Sequence, residues 1–279
     1  MIRACVIGWP ISHSRSPLIH NYWLKQYAIA GAYEKKAVEP EQLENFLKNL
    51  EPQGYAGCNV TIPHKEAAFK LAKPDEIARK LGAANTLYIR DGLLHATSTD
   101  GEGFIASLKA DVPTIQLAAK SVLVLGAGGA ARAIIQALLQ EGVERIELAN
   151  RTPERAADLA RHFGSRVKPL AWQNIDVAMR EQALLVNTTS LGMKGQPPLI
   201  VELRKLPLTA AVADIVYVPL VTPLLQAAVQ RGNPVSGGLG MLLHQAVRGF
   251  ELWFGTRPHV TPELRALVQA DVQADLEKT

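Results

Sequence analysis

The stretch from Ser121 to Ala133, S-V-L-V-L-G-A-G-G-A-A-R-A, constrains the fold more than any other part of the chain. Val122 to Leu125 are four consecutive apolar residues, the pattern of a strand buried on both faces, and the glycines after them stop it where an alanine-rich helix begins. Gly126, Gly128 and Ala131 stand at the G-x-G-x-x-G/A spacing, which supplies a tight turn, a close backbone approach to a pyrophosphate and a small residue for helix-on-strand packing. Ala127, Gly129 and Ala130 complete the turn, and the free N–H groups and positive dipole end of the helix face the phosphates. Glycine-rich turns of this kind also occur without a nucleotide, so the context has to decide.

That context lies one strand further on, where Ile146 to Ala149 run into Asn150-Arg151-Thr152. A dinucleotide fold that takes NAD places an Asp or Glu at this point to bind the ribose, and none is present. Arg151, with Thr152 beside it and Arg155 one turn later on a helix from Pro153 to Phe163, can instead hold a 2′-phosphate by charge-assisted hydrogen bonds. NADP is therefore favoured over NAD. Either arginine also has a plain reading as a solvated surface charge.

The 279 residues suffice for two domains with their own cores, and a hydrophobic share of 48% fits an ordinary globular protein. No apolar run approaches the ~20 residues needed to span a bilayer, and the start leads directly into a strand, so a cytoplasmic protein without membrane association is expected. The net charge of +4 is mild and its basic residues are scattered, which argues against nucleic acid and suits a small anionic substrate. Cys5 and Cys58 read as packing residues far from any second cysteine, with neither a disulfide nor a metal site expected.

From the N-terminus, strand and helix alternate, which predicts α/β architecture with mostly parallel sheets. Ala4 to Gly8 form a strand, and Pro17 to about Tyr27 a helix with Ser16 as N-cap and Leu18, Tyr22 and Ile29 at helical spacing. Ser14 and Ser16 thus line a strand-to-helix loop, where hydroxyls suit a carboxylate ligand. Strands follow at Glu34 to Val38 and Ala56 to Val60, with a helix at Pro40 to Leu50 between them. Thr61 reads as the cap of the next helix, with Pro63 and Lys65 in its first turn. A lysine there is electrostatically misplaced, since the positive end of the dipole disfavours its ammonium form, and such violations of local rules mark functional sites. His64 is a weaker candidate.

A helix at Asp75 to Leu81 precedes Asn85, Asp91-Gly92 is a strong hairpin signal, and the returning strand Leu93 to Thr97 delivers Asp100 before a helix at Gly103 to Leu108. Residues 111–120 read as a connector. After the dinucleotide unit, strands at Leu184 to Asn187 and Val212 to Tyr217 end in polar residues, Thr222-Pro223 caps a helix, a long helix carries Gln245 to Phe254, and Thr261-Pro262 caps the last.

Taken together, G-W-P-I-S-H-S-R-S-P at 8–17, N-V-T-I-P-H-K at 59–65, G-A-A-N-T-L at 82–87, T-D-G at 99–101, G-A-G-G-A-A at 126–131, N-R-T at 150–152, N-T-T-S-L-G-M at 187–193 and G-L-G-M-L-L-H-Q at 238–245 resemble the shikimate dehydrogenase family nearly end to end. The resemblance implies a substrate-binding α/β domain over residues 1–101, completed by C-terminal helices at 239–279, and a Rossmann-type NADP-binding domain over 102–238, with the active site in the cleft. It implies reversible reduction of 3-dehydroshikimate to shikimate by hydride transfer from NADPH, on the route to chorismate and aromatic amino acids, by a monomer or homodimer.

By position, Ser14, Ser16, Thr61, Lys65, Asn85, Asp100, Tyr217 and Gln245 would contact shikimate, with Lys65 and Asp100 catalytic. Glu76, Ile215 and Gly238 would lie near the nicotinamide, and Thr188 would join the cofactor residues. Two departures stand out: Ser236 and Gly237 precede Gly238 where an Asp is usual, and N-T-T-S replaces N-A-T-S. Lys65 is expected to move the hydroxyl proton while Asp100 orients it, the rival view passing the proton through Asp100, His64 or Tyr217. Two alternatives are a quinate/shikimate dehydrogenase using NAD and an inactive NADPH-binding sensor.

Overall fold

The computed structural model describes residues 1–277. They divide into two compact units, one of Met1–Asp100 with Leu243–Val268, the other of Gly101–Leu242 with the chain from Gln269 onward. The sequence reading assigned all of 239–279 to the first; instead the end of the last helix joins the second, where Lys194 Nζ donates to the Asp275 carbonyl at 3.2 Å.

The first unit runs β1 (Ile2–Gly8), α1 (Ser16–Gln26), β2 (Gly31–Ala37), α2 (Leu43–Lys48), β3 (Tyr55–Val60), α3 (Lys65–Leu71), β4 (Lys73–Pro74), α4 (Glu76–Leu81), β5 (Thr86–Arg90) and β6 (Leu93–Thr97). Its sheet has the order β2-β1-β3-β5-β6-β4, parallel except where β5 pairs with β3 and β6. Asp91 and Gly92 both take the positive φ that a two-residue hairpin of this twist requires, as the Asp-Gly pair predicts.

Cys5 and Cys58 correct the reading that set them apart. They are registered partners on β1 and β3, both buried in the core and both free thiols. On α1 the buried face carries Ile19, His20, Trp23 and Leu24, not Leu18, Tyr22 and Ile29, because His20 and Trp23 pack into an aromatic cluster with Tyr33 and Phe250.

The chain continues through α5 (Asp100–Asp111), β7 (Ser121–Leu125), α6 (Gly129–Gln140), β8 (Arg145–Ala149), α7 (Pro153–Phe163), β9 (Val167–Leu170), α8 (Ile175–Ala178), β10 (Gln182–Asn187), β11 (Ala211–Asp214), α9 (Pro223–Arg231), β12 (Val235–Gly237), α10 (Gly238–Phe254) and α11 (Pro262–Glu277). The second sheet is parallel throughout, in the order β12-β11-β10-β7-β8-β9, the doubly wound arrangement that the glycine-rich turn predicts. Its two faces bury Val122, Val124, Ile134 and Leu138 on one side and Leu123, Leu125, Leu185 and Val212 on the other.

Helix α5 is longer than the expected Gly103 to Leu108. Its two glycines weaken the sequence signal, yet Gly101 is where α5 crosses α6 closely: a Cβ there would lie 2.7 Å from the Ala133 carbonyl oxygen. No helix among the described residues is long and apolar enough to cross a membrane.

Candidate active site

In the first unit the carboxyl ends of β1, β3 and β6 and the amino end of β5 meet at one edge of the sheet, since Ile7 is registered with Val60, Asn59 with Thr86, and Thr86 with Thr97. Thr61 follows β3, Asn85 precedes β5, and Asp100 follows β6, so register alone gathers them. Backbone bonds tighten the arrangement: Val60 N–H donates to the Asn85 carbonyl at 2.7 Å, Ala84 N–H to the Lys65 carbonyl at 3.0 Å, and Thr61 N–H to the Ile7 carbonyl at 3.0 Å.

Two caps differ from expectation. Ser16 is the first residue of α1 and makes no side-chain cap bond; its own N–H is taken by Ser14 Oγ at 3.3 Å, so Ser14 does the work assigned to Ser16. Nor does Thr61 cap α3. Its carbonyl accepts the His64 N–H at 2.9 Å across a turn holding the cis Ile62–Pro63 bond, and the helix begins only at Lys65.

Lys65 Nζ donates to Asp100 Oδ2 at 2.6 Å, and Asn85 Nδ2 donates to Asp100 Oδ1 at 2.7 Å and to Thr99 Oγ1 at 3.0 Å. Gln245, on α10, joins through Oε1, at 3.4 Å from Thr99 Oγ1 and 3.5 Å from Asn85 Nδ2. The lysine side chain is 33% exposed and the aspartate 16%, which leaves the pair open to a ligand while its supports are buried. Asp100 takes one of the three N–H donors that an ammonium carries. His64, by contrast, is buried with Nε2 donating to the Val38 carbonyl at 2.8 Å, which gives it a structural post.

Glu76 lies in the first turn of α4 in this same unit, its carboxylate 2.7 Å from Lys80 Nζ, which holds it below the ordinary value. Sequence reasoning missed Tyr33, Asn59, Thr86 and Thr99 as members of the polar cluster. Asn59, Thr86 and Thr99 lie within the family motifs at 59–65, 82–87 and 99–101, but polar residues in or beside a strand carry no signal of what they face, and Tyr33 lies in no motif.

In the second unit the strand ends Leu125, Ala149, Asn187, Asp214 and Gly237 are in register across five strands. The next residues are Gly126, Asn150, Thr188, Ile215 and Gly238, so these five expected cofactor residues line one carboxyl edge. The strand order reverses between β7 and β10, the place where ligands bind in open parallel sheets.

Gly126 has φ +104°, open to glycine alone, and Thr188 fills the space over it while donating its hydroxyl to the Leu125 carbonyl at 2.7 Å. A Cβ on Gly128 or Gly129 would meet nothing within 4 Å, and the amino end of α6 has no side-chain cap, so its N–H groups stand over open space of the kind a pyrophosphate fills. Asn150 Oδ1 accepts the Ala127 N–H at 3.1 Å and its Nδ2 donates to the Thr152 carbonyl at 2.8 Å, which ties the N-R-T turn to the glycine-rich turn. Arg151, Thr152 and Arg155 are exposed beyond it, and Ala130 is the second residue of α6. These residues fit NADP.

Strand β11 stops at Asp214, short of the expected Tyr217, because the Asp214 carboxylate turns the chain. It accepts the Val216 N–H at 3.0 Å, Asn187 Nδ2 at 2.9 Å and the Thr222 hydroxyl at 2.7 Å. Burial pushes this carboxyl above its ordinary value despite those three donors. Tyr217 follows in the loop of the second unit. Among the described residues no group of three or more His, Cys, Asp or Glu could hold a metal ion.

Three family models match the chain along most of its length. Residues 6–87 match the shikimate dehydrogenase substrate binding domain, 107–216 the shikimate/quinate 5-dehydrogenase domain, and 238–262 the shikimate 5'-dehydrogenase C-terminal domain. The NADP(+) shikimate dehydrogenase of Nitrobacter hamburgensis is 59% identical over 97% of this chain and 94% of its own length. The chain belongs to the shikimate dehydrogenase family. Among solved members, the shikimate 5-dehydrogenase of Thermus thermophilus in complex with NADP(H) and shikimate is 36% identical, covers 98% of this chain and 99% of its own, and has a TM-score of 0.84. The quinate dehydrogenase of Corynebacterium glutamicum in complex with NAD is 29% identical, covers 96% and 99%, and has a TM-score of 0.89.

Proposed function

We propose that this chain catalyses the reversible NADPH-dependent reduction of 3-dehydroshikimate to shikimate, the step that feeds chorismate and aromatic amino-acid synthesis. The observation that carries the reading is the Lys65–Asp100 pair, held by Asn85 and Thr99 at the sheet edge where hydroxyls, amides and one cation collect. Such a set suits a polyol carboxylate. NADPH supplies the hydride when bound; the chain's own residues handle everything else.

Ser14 and Ser16 bind the carboxylate, and Thr61, Asn85, Tyr217 and Gln245 bind the ring substituents. The oxygen that receives the proton on ketone reduction faces Lys65 Nζ, which donates it and takes it back in the reverse direction, while Asp100 fixes the ammonium. Gly126 to Ala130, Asn150 and Thr188 hold the dinucleotide, and Ile215 and Gly238 its nicotinamide end. Arg151, Thr152 and Arg155 hold the 2′-phosphate, since no carboxylate stands at the end of β8. The enzyme acts in the cytoplasm as a monomer or homodimer.

Absorbance of reduced nicotinamide, followed with shikimate or quinate and with NADP or NAD, tests the reading. Turnover is expected with shikimate and NADP; preference for quinate and NAD would make this a quinate dehydrogenase, and tight NADPH binding without turnover would make it a sensor. Arg151→Ala should weaken NADP relative to NAD by about tenfold or more, the loss of one charge-assisted bond. An unchanged cofactor preference would remove Arg151 from the phosphate site.

A further inference from the structure

Behind the Lys65–Asp100 pair runs a chain of hydrogen bonds whose every direction is forced. The Asn85 carbonyl can only accept, so the Asn59 amide turns its nitrogen toward it, at 3.2 Å. That leaves Asn59 Oδ1 for the Tyr33 hydroxyl, which donates at 2.6 Å. Asn59 Nδ2 also donates to Thr86 Oγ1 at 3.2 Å, so the threonine's own hydrogen is left for Asn85 Oδ1, 2.9 Å away.

Asn85 Oδ1 also accepts the Thr99 N–H at 2.9 Å. Both contacts put the oxygen of the Asn85 amide inward and its nitrogen outward, onto Asp100 Oδ1 at 2.7 Å. Asp100 Oδ2 then receives Lys65 at 2.6 Å. Tyr33, Asn59, Thr86 and Asn85 are all buried, so water offers none of these groups an alternative partner.

We infer that Thr86 is a positioning residue for the reaction: its hydroxyl, aimed by Asn59 and Tyr33, locks the Asn85 amide so that Asp100 and Lys65 hold their working geometry. The threonine is fully buried in β5 and acts through Asn85. The inference rests on the reading of Lys65 as the proton carrier, and the kinetics of Lys65→Ala test that reading separately.

Thr86→Val keeps the shape and removes the hydroxyl. Its kcat should fall by about tenfold or more, because small misplacements of a catalytic group cost rate steeply, while KM for shikimate stays within about threefold. NADPH affinity, read by nucleotide fluorescence, should be unchanged. A role confined to stability would lower the melting temperature and leave the kcat of the folded enzyme alone.

In an Asn85→Ala background, Thr86→Val should change kcat by less than about twofold, since two residues acting through one contact are not additive. If the valine variant does not fold, Thr86→Ser against Thr86→Ala isolates the same hydroxyl: serine should retain most of the wild-type kcat and alanine should lose it. A valine variant within about twofold of wild type, equal rates for serine and alanine, or an undiminished valine effect without Asn85 would each overturn the inference. A Lys65→Ala variant whose kcat stays near that of the wild type would overturn it as well, for then Lys65 carries no proton and nothing needs positioning.

Discussion

Lys65 begins a helix that has no side-chain cap, at a position where an acid would be the ordinary choice, and the structure answers the misplacement with Asp100 rather than with solvent. If the lysine moves the proton, Lys65→Ala should lower kcat by ~10²–10⁴ with little change in KM in steady-state kinetics. A rise in KM at constant kcat would make it a binding group instead. His20 gives a different test. Neither of its ring nitrogens has a hydrogen-bond partner in the aromatic cluster, and burial, weakly opposed by the neighbouring Asn59 amide, takes its pKa from 6.5 down to about 3. The unfolded chain therefore binds a proton between those values that the folded chain refuses, so stability falls as pH drops through 6.5 and levels off near 3. From pH 7 to pH 5.5, urea denaturation of the wild type should show a loss about 1 kcal/mol greater than that of His20→Phe. Parallel curves for the two proteins would mean that His20 is already protonated or solvated in the fold.

At the scale of elements, two glycines at strand-to-helix junctions do opposite things. A Cβ on Gly238, at the start of α10, would collide with the backbone of Ile215 and lie 2.8 Å from the Val216 carbonyl carbon, so Gly238→Ala must displace the loop after β11. Overpacking of that kind costs typically about 1–3 kcal/mol, and both the melting temperature and NADPH affinity should drop. Gly128→Ala meets nothing in the free protein and its φ of −94° suits alanine, so thermal stability should hold while NADPH binds about tenfold more weakly, a methyl now occupying the cradle. Calorimetry and fluorescence titration on both variants would separate the two effects; a stability loss at Gly128 or intact stability at Gly238 would contradict the packing.

At the scale of the molecule, each unit carries its own sheet and its own core. Replacing Ser14 and Ser16 together with Ala, both in the first unit, should raise KM for shikimate by about tenfold or more while NADPH binding to the second is unmoved. Because Ser14 Oγ also takes the Ser16 N–H, a stability loss of ~1 kcal/mol should accompany it. Equal losses of both affinities would mean that the loop only supports the fold.

The second unit was legible in the chain because its signals are local: an apolar strand, a turn that needs glycine and a helix follow one another within Ser121 to Ala133, and the missing carboxylate at Asn150-Arg151-Thr152 lies one strand away. Helix α7 starts and ends where its pattern says, since Pro153 and Gly164 mark both ends within the pattern itself. Lys65, Asn85 and Asp100 were likewise placed at strand ends by alternation alone. Tertiary structure decided what those ends face. Cys5 meets Cys58, Tyr33 meets Asn59, Asn59 meets Thr86 and Asn187 meets Asp214 only because the sheets bring their strands together. Hydrogen bonds between buried side chains have no period along the sequence; they depend on register between distant segments, and that register exists only once the whole sheet has formed.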